Sequence, residues 1–332
     1  MNPSISVLIP AYNAEKTILA AVWSALNQDF DVFDVLVYDD GSTDKTREIL
    51  EGIKDVRLHV LGGQTNMGVV HARNTLLYES KSPFIAWLDA DDVMLPGRLQ
   101  AQFEYLQNHP DVDLLGGWAE LRHNWLKGVL IPGFSLVKMS GNPDYLSASL
   151  CFRNPFINSS IMARNFFSRE NLWFDGAFDG FAEDYDLFLR CRRMGKQFGV
   201  IPKTVVSYRV STKSEQVEKE RQYHAQDKWE KLLCRTFPNT PADKAAMVVG
   251  FLRNNHRVSA DLFTFLADWL EESKHVVWKK LEKPSLGEKA ALLHQKFRLV
   301  RLRYGGIPAA VWLATNNPAV VFCMLRNHKQ VL

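Results

Sequence analysis

Four short apolar runs occupy the first ninety residues, each separated from the next by polar turns and amphipathic stretches. Ile5 to Ile9 is closed by Pro10, which predicts a buried strand running into a loop. From Thr17 to Asn27, apolar Ile18, Ala21, Val22, Ala25 and Leu26 recur at helical spacing. Val35 to Tyr38 predicts a second strand, which ends in the turn Asp39-Asp40-Gly41-Ser42-Thr43-Asp44. A helix with Ile49 and Leu50 inward follows, with Ser42 or Asp44 as its cap. Val56 to Leu61 predicts a third strand, Val69 to Tyr78 a helix, and Phe84 to Leu88 a fourth strand. Apolar, non-alternating strands in this order predict an α/β fold with an open, mostly parallel sheet flanked by helices. Ligands of such sheets bind beyond the carboxyl ends of the strands. Pro10-Ala11-Tyr12, Asp39-Asp40 and Asp89-Asp91 would meet at that rim.

Beyond Pro96 the pattern predicts a helix over 97–108, a strand over 112–120 and, after a turn-rich stretch, a strand over 159–164. A helix over 183–194 and a late strand over 204–210 complete this region. Past Ser211 the chain becomes charged and helix-prone. The expected organisation is an α/β domain over 1–212 and a mostly helical C-terminal region over 213–332.

Composition narrows the class. With 46% hydrophobic and 23% charged residues, the 332-residue chain has the balance of a soluble globular protein. A net charge of +3 gives no footprint for nucleic acid. Cys151, Cys191, Cys234 and Cys323 form no zinc spacing and read as free thiols. MNPSISVLIPAYN carries no basic leader, and Thr315-Asn316-Asn317-Pro318 interrupts the apolar stretch from Ile307 to Met324. A cytoplasmic protein is expected, working in solution or at the inner face of a membrane.

The acids carry the candidate chemistry. Asp89 and Asp91 flank one small residue at a strand end, as hard oxygen ligands for Mg2+ or Mn2+, or as a solvated turn. Asp40 offers an acceptor for a base or ribose, or an Asx turn. Tyr12 is placed to stack on a flat ring or to pack in its loop. Arg73, early on its helix, faces a phosphate or pairs with an acid such as Asp40. Glu183-Asp184 opens a helix as cap or as general base. His71 and Asp186 are assigned no chemistry.

Five segments in order resemble the family 2 inverting glycosyltransferases of the GT-A (nucleotide-diphospho-sugar transferase) fold. SVLIPAYNAEKTI resembles the opening strand and loop, VYDDGSTDKT the second strand end and TNMGVVHARN the NxGxxxARN element. WLDADD resembles the DxD motif and AEDYDLFLR the ED motif. The resemblance implies transfer of a sugar from a nucleotide-sugar donor, most often UDP-linked, to a hydroxyl of a glycan or lipid-linked acceptor in cell-surface polysaccharide synthesis. It implies that Tyr12 and Asp40 hold the base, with Pro10 and Ala11 as rim and Glu15 close by. Arg73 would meet the uracil or an acid, and Asp89, Ala90 and Asp91 the ribose, diphosphate and Mg2+ or Mn2+. Asp184 would be the catalytic base, supported by Glu183. One position departs: relatives carry YRxH, and Ser211 stands here in place of the histidine, leaving Arg209, Ser211 or Lys213 to meet phosphate.

Two other readings share the fold. A sugar nucleotidyltransferase would place a glycine- and arginine-rich loop after the first strand, and PAYNAEKT has none. A non-catalytic sugar-binding protein would tolerate loss of Asp91 or Asp184, and both are present. In the C-terminal region Trp229, Phe251, Phe263, Trp269, Trp278 and Trp312 fit a helical core, a homo-oligomer interface or a peripheral membrane contact. Lys274, Lys279, Lys280 and Lys283 are either a solvated face or a site for anionic lipid.

Overall fold

The computed structural model describes residues 4–123, 134–210, 225–253, 260–277 and parts of 284–299. Ser211, Lys213, Trp278, Lys279, Lys280, Lys283 and Trp312 lie outside them, as does the Phe263 side chain. The chain divides into two compact units, residues 1–139 with 156–212 and residues 140–155 with 213–332.

The first unit opens with β1 (Ile5–Ala11), α1 (Ile18–Leu26), β2 (Phe33–Asp40), α2 (Thr46–Gly52), β3 (Leu58–Gly63), α3 (Val69–Glu79) and β4 (Phe84–Trp87). It continues with β5 (Val93–Met94), α4 (Arg98–Asn108), β6 (Leu114–His123), β7 (Phe134–Val137), β8 (Met162–Arg164), α6 (Glu183–Arg193) and β9 (Phe198–Val210); α5 (Pro143–Ser149) belongs to the second unit. The strands form one sheet in the order β3-β2-β1-β4-β8-β6-β9-β5, with β7 on β6.

The sheet is open and mostly parallel, with short antiparallel joins. β3, β2, β1 and β4 are parallel, as are β6 and β9, but β8 joins β4 and β6 antiparallel and β5 joins β9 antiparallel. Of the parallel strands, β1 and β4 are buried almost throughout, as strands covered on both faces are. Ile18, Ala21, Val22, Ala25 and Leu26 of α1 pack into this core with Val7, Ile9, Val35 and Val37. Trp87 ends β4 fully buried, edge-on to Phe167 at 5.4 Å and Phe188 at 6.3 Å.

The third strand starts two residues later than its apolar run suggests, since Val56 is 94% exposed in the turn before it. The late strand begins at Phe198 rather than Thr204 because it pairs along β6, with bulges beside Gly117 and Trp118.

In the second unit, α5, α7 (Gln226–Thr236), α8 (Ala242–Arg253) and α9 (Ala260–Glu272) contribute a core that includes Ala148, Phe152, Leu233, Phe237, Val248, Trp269 and Leu270. Trp269 Nε1 donates to Thr240 Oγ1 at 2.9 Å, satisfying its polar edge. Lys274 pairs with Glu271. Among the described residues no helix is long and apolar enough to cross a membrane.

Candidate active site

The carboxyl ends of β1 and β4 open onto a cavity of about 560 Å3. Pro10, Tyr12 and the 13–17 loop form one wall, and Asp89, Ala90, Asp91 and Arg209 another, with Val69 and Arg73 of α3 between. Tyr12 is 46% exposed, so its ring is available to a ligand rather than packed.

The loop after β1 is built by hydrogen bonds to the loop after β2. Asn13 N–H donates to Ser42 Oγ and Thr43 N–H to Asn13 Oδ1, each at 2.9 Å. Asp44 accepts from the Glu15 N–H through Oδ2 (3.1 Å) and from the Thr46 N–H through Oδ1 (2.9 Å). Asp44, not Ser42, therefore serves the start of α2. Glu15 lines the cavity, and its carboxylate accepts from the Lys45 N–H.

Asp40 is buried and turned to the backbone. Its two oxygens accept from the N–H groups of Met67 (2.9 Å) and Gly68 (2.8 Å), and it does not line the cavity. Ala11 is buried as well. Asp40 thus shapes the loop ahead of α3. Asp179 completes that helix start by accepting from the Val70 N–H at 2.9 Å. Gly68 sits at φ +94°, and a Cβ there would overlap the Asp179 carboxylate, so both conformation and space require glycine.

Arg73 is the centre of the arrangement. Only 6% exposed, it donates from Nη1 to Glu183 Oε1 at 2.5 Å and from Nη2 to Asp89 Oδ1 at 2.9 Å. Its guanidinium lies over the Phe174 ring at 5.4 Å. Burial opposes its charge, and Asp89, Glu183 and Asp184 outweigh that, so the cation is retained. The acid partner of Arg73 is not Asp40 but the pair Asp89 and Glu183, which ties the end of β4 to the start of α6. Asn74 on the next position of α3 adds a second tether, accepting from the Phe174 N–H and donating to its carbonyl.

The three acids of WLDADD have different surroundings. Asp89 is held by Arg73, and Asp91 is exposed into the cavity. Asp92 is 1% exposed, and its Oδ1 accepts from the Arg209 N–H at 2.8 Å. Burial, then Asp89, push the Asp92 carboxyl up to about 8, so it is neutral at neutral pH and adds no third charge. Burial and Asp89 also raise the Asp91 carboxyl, with Arg209 and Arg122 pulling the other way.

Asp184 is partly exposed and stands in the field of Arg73, with its Oδ1 accepting from the Tyr185 N–H at 2.7 Å. Burial and the neighbouring Glu183 push its carboxyl up to about 6, with Arg73 opposing. Asp186 is turned away into an ion pair with Arg190 at 2.8 Å, and His71 meets the Tyr38 hydroxyl at 3.1 Å.

The pattern of the sequence did not single out Arg98, Asp179 or Tyr208. Arg98 is fully buried and donates to the carbonyls of Trp87, Ser159 and Ile161, fixing the β4 end from behind. Burial brings its guanidinium down to about 9, against the pull of Asp92. Burial and Asp92, Asp89, Asp91 and Asp184 push the Tyr208 hydroxyl up to about 12, which places that ring among the acids.

Mg2+ suits this donor set. Among the described residues no three acidic, histidine or cysteine side chains form a closed metal cage. Mg2+ and Mn2+ at phosphate sites commonly use one or two carboxylates, water and substrate oxygens, and Asp91 offers such a carboxylate at the cavity wall.

A GT-A sheet, with acids from two separate elements gathered at its carboxyl rim, defines the class. The chain belongs to glycosyl transferase family 2, whose model matches residues 6–157. It is 34% identical over 200 residues to an uncharacterized glycosyltransferase of Haemophilus influenzae, a match covering 59% of this chain and 74% of that one. It is 32% identical over 127 residues to the Escherichia coli UDP-Glc:alpha-D-GlcNAc-diphosphoundecaprenol beta-1,3-glucosyltransferase WfgD, over 38% of this chain and 50% of that one. Against a second H. influenzae glycosyltransferase the match spans 66% of the relative's length. The crystal structure of S. aureus TarS 1-349 in complex with UDP-GlcNAc superposes with a TM-score of 0.55 at 18% identity, covering 100% of this chain and 89% of that one.

Proposed function

We propose that the protein is an inverting, metal-dependent glycosyltransferase. It moves a sugar from a UDP-linked donor to a hydroxyl of a glycan or lipid-linked acceptor, in cell-surface polysaccharide synthesis at the cytoplasmic side of the membrane. The observation that carries this reading is the Asp89–Arg73–Glu183 bridge, which ties Asp89 on the cavity wall to the residue before Asp184. The E. coli relative named for a UDP-glucose donor and a diphosphoundecaprenol-linked acceptor supports both substrate classes.

In this reading Tyr12 stacks on the base, with Pro10 and Ala11 behind it, while Asp40 acts by shaping the 66–68 loop. Asp91, with Asp89 beside it, holds Mg2+ or Mn2+, which would offset the charge of the leaving diphosphate. Asp184, with its carboxyl at about 6, is ionised at neutral pH yet basic enough to take the acceptor hydroxyl's proton. The oxygen attacks the anomeric carbon opposite the diphosphate in a single displacement, so the product anomer is inverted. Glu183 and Arg73 hold Asp184 in place. The test is proton NMR of the product formed from a panel of UDP-sugars and lipid-diphosphate sugar acceptors. A β product from an α-linked donor supports the reading, and a retained anomer overturns it.

A further inference from the structure

The N-cap position of α3 is Gly68, which has no side chain to offer the free N–H groups of the first turn. Such an acceptor is ordinarily local. Here it comes from Asp179, 109 positions along the chain, whose Oδ1 takes the Val70 N–H at 2.9 Å. The helix dipole favours a carboxylate at this end. Asp179 belongs to the segment that runs into Glu183 and Asp184.

That segment is fastened to α3 at three points. Asn74 holds both backbone polar groups of Phe174, Arg73 holds Glu183, and the Val70 N–H holds Asp179. Between Asp179 and Asp184 there is little slack. Phe178 is fully buried, the Phe181 N–H donates to its carbonyl at 2.7 Å, and Ala182 is left-handed at φ +57° immediately before α6. An alanine keeps that conformation only where its surroundings hold it. At the same end of α3, Asp40 holds the N–H groups of Met67 and Gly68, and Val69 and Arg73 line the cavity. The start of α3 thus joins a wall of the cavity to the segment that carries the candidate base.

We propose that Asp179 is a positioning residue, which caps α3 from a distance and so fixes Asp184 relative to the cavity wall that α3 forms. The proposal rests on the reading of Asp184 as the catalytic base.

The test compares wild type with Asp179→Asn, which keeps an acceptor for the Val70 N–H, and Asp179→Ala, which does not. Asp179→Ser replaces the alanine variant if melting shows that it is not folded. Turnover is followed by UDP release with the UDP-sugar and lipid-diphosphate acceptor that the anomer test identifies. Amide hydrogen exchange is measured by mass spectrometry over residues 67–72 and 181–187. In Asp179→Ala, kcat falls by roughly tenfold or more, because a displaced base loses its reactive geometry. The acidic limb that Asp184 sets among Glu183, Arg73 and Asp89 moves below its wild-type place near pH 6 as water reaches the carboxyl. Exchange rises over both stretches, and Asp179→Asn restores most of kcat. A rise in donor KM with kcat intact, or faster exchange over 67–72 alone, would reduce Asp179 to a helix cap and overturn the proposal. A fall in kcat with the limb unmoved would overturn it as well. Wild type that releases UDP from no donor would remove the transferase reading, and the exchange measurement alone then decides whether Asp179 links the two stretches.

Discussion

Replacing Arg73 by methionine keeps much of the side chain's length and removes its charge. The Arg73 side chain is 7% exposed, and those of its partners Glu183 and Asp89 are 11% and 26% exposed. Removing one member of a buried ion pair costs about 3–5 kcal/mol, because the remaining charge has no partner. Asp89 keeps some solvent, which places Arg73→Met near the lower end, about 3 kcal/mol. The cost depends on pH in a defined sense. Burial and Glu183 already hold the Asp184 carboxyl at about 6, and loss of Arg73 removes a cation that holds it down. A carboxyl whose pKa is higher folded than unfolded costs stability once pH exceeds the unfolded value, and the cost is complete above the folded value. The deficit is therefore largest at pH 8 and shrinks toward pH 5 as the cluster takes up protons. Urea unfolding followed by fluorescence at both pH values measures it. A deficit under about 1 kcal/mol at pH 8, or one equal at pH 5, would refute the account of Arg73 as the charge that holds the acids together.

Asp184→Asn keeps the shape of the base but not its charge; turnover should fall by at least about 100-fold while donor binding holds, and the wild-type acidic limb near pH 6 should disappear. Gly68→Ala combines a positive φ with overlap on Asp179 and should cost roughly 1–3 kcal/mol by urea unfolding; an Ala variant as stable as wild type would remove the Asp179 contact from the account. Asp92→Asn mimics the neutral acid and retains the acceptor for the Arg209 N–H. With a folded value near 8, the native carboxyl costs stability progressively as pH rises from about 4, so the variant should melt higher than wild type at pH 8 and lose that advantage near pH 4.

Much of the first unit was legible because its cues are local. Ile5–Ile9, apolar apart from Ser6, and Phe84–Leu88 are runs bounded by polar turns, and a parallel strand covered on both faces looks that way. The antiparallel joins were not legible. β8 is only Met162–Arg164, and its direction follows from pairing with β4 and β6, which no local pattern encodes. The same distinction holds at the site. Asp89, Asp91, Arg73, Glu183 and Asp184 stand out by residue type at element ends, yet the choice of Asp89 and Glu183 over Asp40 as partners of Arg73 depends on contacts across 16 and 110 positions. Asp40 looked like a ligand group because it ends a strand; its backbone bonds to Met67 and Gly68 emerge only when the loop after β3 folds back. Asp179 and Arg98 lie outside any recurrent spacing, and their roles are set by the helix start and the carbonyls they reach.

The central claim is that Asp91 and the rim around it bind a nucleotide-sugar diphosphate with a divalent ion. Melting temperature measured with UDP-, GDP- and dTDP-sugars, each in Mn2+, Mg2+ or EDTA, tests it directly in wild type and Asp91→Ala. A ligand that binds only the native state at 100 times its Kd stabilises it by about 2.7 kcal/mol. The account predicts a rise for one nucleotide class that requires the metal and is lost in Asp91→Ala. No rise with any nucleotide-sugar, or an equal rise in Asp91→Ala, would contradict it.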